Sequence, residues 1–548
     1  MKKTILLLIV LATQLSNSQK LTETQKLATT CKVWGFLKYY HPNVASGKFN
    51  WDEQLFSILP KIEKASTKEE FSIVLENWID TLGEIKKIAP IKDNDTIEYS
   101  YKNLNLVWLE KTSIFSKKLS NKLKFIENNR FQGELHYFYF DKKDGGMGAI
   151  NEHYSDLHFK DKNARIITMF MYWNLIEYFY PYKYLMDQKW NSTLEKLLPE
   201  FIEAKDVISF SIAMQKLTVK LNDSHVVFYT GAIKHALLPF KCKLIDEKLI
   251  ITEILGDEQA KYEDLKIGDV ITKVNDKTIH ELIVENRELI GGSNEAYYLK
   301  NLASLILDVP SYNIKLTFLR EGVTNTRIIN TYDILDAHSN DKREKKISQN
   351  EKFKILENNI GYVNMGTLRV KNVTDMIETL KITKAIIFDM RNYPNETYEA
   401  ISKFLNAKEK EFVKYTHPDT GYPGRFVWTK PAKCGTENKD NYKGKVIVLL
   451  NENSISQSEW TAMCFQTAGN TTIIGSQTAG SDGNVAEIDF FKAFYTCYTG
   501  IGVYYPDGRE TQRIGIIPDI EVKPTIEGIK QGKDEVLERA IKFIETGK

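Results

Sequence analysis

Cysteine is scarce in this chain of 548 residues. Five are present, Cys31, Cys242, Cys434, Cys464 and Cys497, with no C-x-x-C pair among them. That spacing disfavours a zinc site and points to no bound metal. One disulfide could form in an oxidising compartment, with no pairing singled out, and most of the five read as small buried apolar side chains. Excess charge is missing as well: 74 Lys and Arg stand against 72 Asp and Glu, a net +2. With no basic block, nothing draws the chain to nucleic acid or to an anionic membrane. Beyond the first residues no apolar run is long enough to cross a bilayer.

What is present is ordinary for a soluble multidomain protein, 42% hydrophobic and 27% charged. The length predicts two to four domains. The start is distinctive. Met1-Lys2-Lys3 is basic, "TILLLIVLAT" is a short apolar core, and "QLSNSQ" is polar with small residues at Ser16 and Ser18. This reads as a secretory signal peptide over residues 1–18, its apolar core about half the length of a membrane span. No cysteine marks a lipid anchor. The expectation is an exported protein, periplasmic or extracellular, with no membrane span after signal removal.

Residues 19–230 read as mainly helical and contain an internal duplication. "VWGFLKYYHP" (33–42) matches "YWNLIEYFYP" (172–181). A single constant offset, without a gap, carries Trp34 onto Trp173, Tyr39 onto Tyr178, Pro42 onto Pro181, Trp51 onto Trp190, Pro60 onto Pro199, Phe71 onto Phe210 and Leu82 onto Leu221. The repeats are placed at 33–84 and 172–223. Aromatic and leucine residues at 3–4 spacing predict helices packed against each other. Between the copies, "DTIEYSYKNLNLVWLEK" and "ELHYFYFDKK" alternate like short strands. The second copy runs on into "VKLNDSHVVFY" (219–229), and its Ser224-His225 pair has no counterpart in "DTLGEIKKI" (80–88).

Residues 231–335 read as short strands, with turns at Gly268-Asp269 and Asn275-Asp276. The stretch "YEDLKIGDVITKVNDKTI" (262–279) resembles the G-D turn segment of a PDZ domain. Such domains hold extended peptides by strand addition, and the resemblance implies Gly268 as a substrate-binding position. "HSNDKREKKISQNEK" (338–352) is a polar linker. From 353 to 548 short apolar strands alternate with helices, which predicts a sheet covered by helices.

Within that last region, "KAIIFDMRNYPNET", "KVIVLLNENSISQSEWTAM", "TIIGSQTAGSDGN" and "RIGIIPDIEV" follow one another. Together they resemble the core of the tail-specific (C-terminal processing) serine peptidases. That family includes the tricorn core proteases and the non-proteolytic interphotoreceptor retinoid-binding protein. The fold class implied is α/β multidomain: a helical N-terminal region, a small β-rich PDZ domain and an α/β (ClpP/crotonase-like) core.

The family motif S-x-S-x-S-E falls on Ser454, Ser456, Ser458 and Glu459, and implies Ser456 as nucleophile. Locally, Ser456-x-x-Glu459 also spells a helix capping box. The family lysine that serves as base is replaced by Ser481 in "GSQTAGSDG", and a family glutamine further on is replaced by Val485. Tricorn proteases carry a Ser-His pair ahead of the PDZ instead. Similarity to them implies His225 as base, oriented by Ser224. Their acidic third member falls in register with Gln512, with Glu510 two residues away on the same face. The oxyanion would meet Gln457 and the loop "DMRNYPNET", where Asp389, Arg391 and Pro394 match but Asn395 and Glu396 stand in place of glycines.

The resemblance implies an exported serine endopeptidase acting on peptides or unstructured protein C-termini, with a peptide or protein substrate as partner, no cofactor, and its oligomeric state left open. The alternative is an inactive relative that binds peptides or apolar ligands in the same cleft. A third option is a scaffold in which the duplicated helices dock a partner.

Overall fold

The computed structural model describes residues 20–152, 158–230, 236–254, 264–308, 313–333, 351–491 and 494–548. The expected signal peptide and most of the expected linker lie outside these. No helix of the described residues is long and apolar enough to cross a membrane. The chain divides into two compact units. The first runs to Leu217 and takes in Thr416–Trp428 and Asn484–Thr496. The second comprises Thr218–Tyr415, Thr429–Gly483 and Cys497–Lys548.

The helices of the first unit occur twice. α1 (Glu23–Tyr40), α2 (Trp51–Lys64) and α3 (Lys68–Thr81) are followed by α4 (Lys162–Phe179), α5 (Trp190–Glu203) and α6 (Val207–Thr218). Each of the second three begins at the position that the sequence offset assigns to its counterpart. Side chains of Thr22, Asn50, Thr67 and Asp161 accept backbone N–H groups at four of the starts, which satisfies donors the helix cannot. The chain turns out of α1 and α4 just before Pro42 and Pro181, residues that cannot extend a helix.

The same internal bonds recur too. The Trp34 and Trp51 indoles each donate to the other's carbonyl, at 3.3 and 3.1 Å, and those of Trp173 and Trp190 do so at 3.2 and 3.0 Å. α1 and α4 meet at equivalent positions. A Cβ on Gly35 would lie 1.9 Å from Asn174 Oδ1, so only glycine admits the crossing. Asn174 Nδ2 donates to the carbonyls of both Cys31 and Phe170, which are themselves equivalent. The Tyr39 and Tyr178 rings meet at 5.5 Å. One equivalent pair differs in sign. Buried Lys38 pairs with Glu152 at 2.5 Å, whereas buried Glu177 pairs with Lys183 at 2.9 Å.

Between the copies, Phe138–Phe140 pairs with Met147–Ala149 as a strand hairpin. Val107–Glu110, expected in a strand, is instead a 3-10 turn that buries Leu109 and leaves Val107 80% exposed.

The second unit opens with an antiparallel sheet: β1 (Phe240–Ile245), β2 (Lys248–Ile254), β3 (Val270–Val274), then after α7 (Ile279–Asn286) and α8 (Glu295–Ile306), β4 (Asn313–Arg320) and β5 (Val323–Asn330). Its order is β5-β4-β3-β2-β1. Asn275 and Asp276 both take positive φ, 49° and 69°, as a two-residue hairpin requires. Ile251, Ile271, Leu316, Phe318 and Ile329 form its core with Leu302 and Ile306 of α8.

The elements that follow include β6 (Phe353–Leu356), β7 (Ile360–Asn364), α9 (Val373–Leu380), β8 (Ala385–Asp389), α10 (Tyr398–Leu405), β9 (Lys445–Leu450), α11 (Gln457–Gln466), β10 (Thr471–Gly475), β11 (Phe494–Thr499), β12 (Ile520–Glu521) and α12 (Glu535–Thr546). The sheet order is β6-β7-β8-β9-β10-β12, parallel from β7 onward. Its strands are apolar on both faces, as a parallel sheet needs. Ile386, Phe388, Val446 and Val448 pack under α9, α10 and α11, while Ala385, Ile387, Ile447 and Leu449 pack against Val536, Ala540 and Ile544 of α12. The loops that follow β8, β9 and β10 therefore emerge side by side at the carboxyl ends of adjacent strands, where open α/β sheets place their sites.

Candidate active site

The loop after β9 carries the three alternating serines, and the structure gives them different work. Ser454 and Ser458 are fully buried. Their hydroxyls donate to the Met390 and Asn392 carbonyls, both at 2.8 Å, and so fasten the start of α11 to the loop after β8. Ser456 between them is half-buried, with φ 57° and ψ −120°, backbone angles that a side chain seldom tolerates. Its N–H donates to the Ser481 carbonyl at 2.9 Å and to Glu459 Oε2 at 3.2 Å. The Glu459 carboxylate thus serves the expected capping box, but it does more. It also accepts from Gly480 N–H at 2.9 Å, Ser481 N–H at 3.0 Å and the Thr478 hydroxyl. Burial pushes its carboxyl up to about 7 against the pull of these donors. Burial, and then the neighbouring Glu459, raise Asp482 as well.

The loop after β8 is shaped by an ion pair. Arg391 binds Asp389 at 3.0 and 2.6 Å and Asp534 at 2.7 Å through each of two nitrogens. Asn395 Nδ2 donates to the Met365, Gly366 and Leu368 carbonyls at 2.9–3.2 Å. Glu396 occupies a glycine position of the family and keeps glycine's conformation, with φ 55°. Among the described residues no acceptor is found for the N–H groups of Asn395, Glu396 and Gln457. Gln457 is the first residue of α11, where an N–H has no partner within the helix.

His225 follows the turn that ends the helical repeat. Its Nδ1 lies 2.8 Å from Thr499 Oγ1, at the end of β11. Asp223 gathers the surroundings. Its carboxylate accepts from His225 N–H (3.0 Å), Ser481 Oγ (2.5 Å), Thr499 N–H (2.8 Å), Thr499 Oγ1 (2.9 Å) and Gln512 Nε2 (3.3 Å). Burial lowers the imidazole's pKa, and the Asp223 charge opposes that. The main-chain N–H of Ser456 is thereby linked, through Ser481 and Asp223, to the main-chain N–H of His225 and, across Thr499, to its ring.

Three expected roles find other arrangements. The Ser224 hydroxyl donates to the Ala479 carbonyl at 2.7 Å and accepts from Ser293 N–H at 2.8 Å, so it holds a loop rather than the imidazole. The partner of His225 Nδ1 is Thr499, not Glu510, whose main chain forms an isolated β-bridge with that of Tyr504 across the "PDG" turn. Gly268 sits in a turn at φ 90° where a Cβ would come within 2.5 Å of Lys530 Cγ, so its lack of a side chain serves close packing. Asp223 and Thr499, which bond the histidine, and Ser481, which bonds Asp223, went unrecognised. Asp223 stands just before it in the chain, but the other two come from beyond the nucleophile motif, where no local pattern reaches. No group of three or more His, Cys, Asp or Glu placed to hold a metal occurs among the described residues.

The strained serine thus sits at the turn from a parallel strand into a helix, a placement that exposes a hydroxyl. In comparison with known proteins, residues 359–522 match the model of peptidase family S41 and residues 234–318 match that of a PDZ domain. It is 22% identical over 281 residues to a probable CtpA-like serine protease of Staphylococcus haemolyticus, covering 50% of each chain. It is 27% identical over 197 residues to a carboxy-terminal-processing protease of Bartonella bacilliformis, covering 33% of this chain and 43% of that one. The chain thus spans about half the length of the curated relatives it matches. The fold is shared with mature CPAF, solved alone and in complex with lactacystin. Both superpose with a TM-score of 0.56 over 70% of this chain, at 15% and 14% identity, and cover 98% and 99% of those chains.

Proposed function

We propose that this protein is an exported serine endopeptidase that cleaves peptides or unstructured protein C-termini. Ser456 is the nucleophile and His225 the general base. The N–H of Gln457 with those of Asn395 and Glu396 receives the oxyanion, and the PDZ-like domain holds the extended substrate. The observation that carries the reading is the strained backbone of Ser456, tied through Ser481 and Asp223 to His225. Strain of this kind persists only where surrounding bonds over-determine it, and it collects at reactive groups. An imidazole supplies the base that the absent lysine would otherwise be, near neutral pH. The N-terminal segment 1–18 supports export.

A fluorophosphonate probe and an unstructured protein substrate test this. Labelling and cleavage should both vanish in Ser456→Ala and fall about 10²-fold or more in His225→Ala. A wild-type protein that takes up no probe from pH 5 to 9, yet retains peptides on a column, is instead a non-catalytic binder, as the lost lysine and glycines would favour.

A further inference from the structure

We propose that Thr499 and Asp223 are the positioning residues of His225, taking over together the part played elsewhere by one acidic residue. The inference rests on the reading of His225 as base and goes beyond it by fixing which ring nitrogen carries the proton.

The argument is an accounting of hydrogens. Asp223 receives five donors, two of them backbone N–H groups and one a side-chain amide, which can only donate. A group so surrounded acts as an acceptor. Thr499 Oγ1, 2.9 Å away, spends its single proton on it. Ser481 Oγ does the same at 2.5 Å, so the 3.2 Å approach of Ser481 to Thr499 brings no further proton. Thr499 therefore has only lone pairs to offer the imidazole 2.8 Å away. His225 must be the donor there, with its proton on Nδ1. Nε2 is left with its lone pair, which is the state a general base needs.

When Ser456 loses its proton to Nε2, the ring becomes a cation with N–H on both nitrogens. The positive charge is then met across one hydroxyl by the Asp223 carboxylate. No atom leaves the network, and the proton returns from Nε2 to the leaving group. Asp223 is fixed for this by Thr499 N–H, Ser481 and Gln512, which explains how the chain dispenses with an acidic residue at position 512. Other titratable groups on the packed elements are Cys497, whose Sγ lies 3.1 Å from the His225 carbonyl, Tyr297 and Glu459. Because Glu459 also titrates, its carboxyl being pushed up to about 7, activity alone does not isolate the imidazole.

The test uses the full chain labelled with 15N at histidine, the His225 signals being assigned with His225→Gln. Ring 15N shifts report the tautomer, and the rate of fluorophosphonate labelling against pH reports the base. Wild type should show one tautomer, protonated at Nδ1. Thr499→Val should mix the tautomers and slow labelling about 10²-fold, with Thr499→Ser restoring it to within about tenfold. In Asp223→Asn the amide can donate to Thr499, whose hydroxyl then turns to Nδ1. The ring should switch to the Nε2–H form and its midpoint should move to lower pH. An unchanged tautomer in both Thr499→Val and Asp223→Asn overturns the proposal. If Thr499→Val does not fold, Asp223→Asn decides it by the same signals. Should the probe fail to label even wild type, the peptidase reading falls, while the ring shifts still decide the tautomer.

Discussion

The backbone N–H of Ser456 donates to the carbonyl of Ser481 at 2.9 Å, so the residue standing where the resemblance expects a lysine holds the main chain of the proposed nucleophile. That bond and the one to Glu459 keep Ser456 at a positive φ that its side chain disfavours. Holding a non-glycine residue there costs about 1–3 kcal/mol. Glycine adopts the same angles freely but loses more chain entropy, about 0.5–1 kcal/mol. Ser456→Gly should therefore abolish labelling while leaving stability unchanged or raised by about 1 kcal/mol. Urea unfolding measures it, and a loss of about 2 kcal/mol would contradict the strain.

Ser458 ties α11 to the loop expected to receive the oxyanion. In Ser458→Ala the Asn392 carbonyl loses its 2.8 Å donor in a buried setting. The cost should be about 1–3 kcal/mol in unfolding free energy. Turnover should fall more than KM changes, because the loosened loop matters most in the transition state.

Glu459 makes stability depend on pH with an unusual sign. Its folded carboxyl, pushed up to about 7, lies above its unfolded value near 4.3. From about pH 4.3 to 7 the folded state holds a proton that the unfolded state has released, so stability falls as pH rises and then levels off. The span corresponds to about 4 kcal/mol at most. Glu459→Gln should remove one proton from the slope measured by denaturation at stepped pH. The part due to Asp482, raised in the same direction, should remain.

The repeated tryptophan pairs make the duplication testable. Trp34→Ala and Trp173→Ala each delete a buried indole that donates to its partner's carbonyl. Each should cost about 3–5 kcal/mol, and the two values should agree within about 1 kcal/mol if the copies remain mechanically equivalent. A readout confined to the helical unit, such as hydrogen exchange in α1 and α4, checks this.

The repeats, the strand–helix alternation and the Ser456 motif could be read from the chain because each is a local pattern. A fixed offset survives in sequence, apolar runs mark buried strands, and a serine after such a run marks the strand-to-helix turn. Site residues became harder to read as the distance between them grew. His225 came through resemblance, but Thr499 and Asp223 carry no local signature, and their meaning lies in a contact between stretches of chain on either side of the PDZ-like domain. Ser224 and Gly268 make joining and packing contacts that the sequence did not announce, for a related reason. A polar neighbour or a tight turn is as useful for joining loops as for chemistry, and only the contact partner tells the two apart.

The opposite charges at Lys38 and Glu177 bear on how the helical unit assembles. Had both copies kept one residue there, either helix could settle into the other's seat with little penalty. As it stands, an exchanged helix would bring lysine against Lys183 or glutamate against Glu152, deep in an apolar interior. The chain has thereby made its two halves mutually non-substitutable, so that a near-symmetric sequence still has one correct way to fit together.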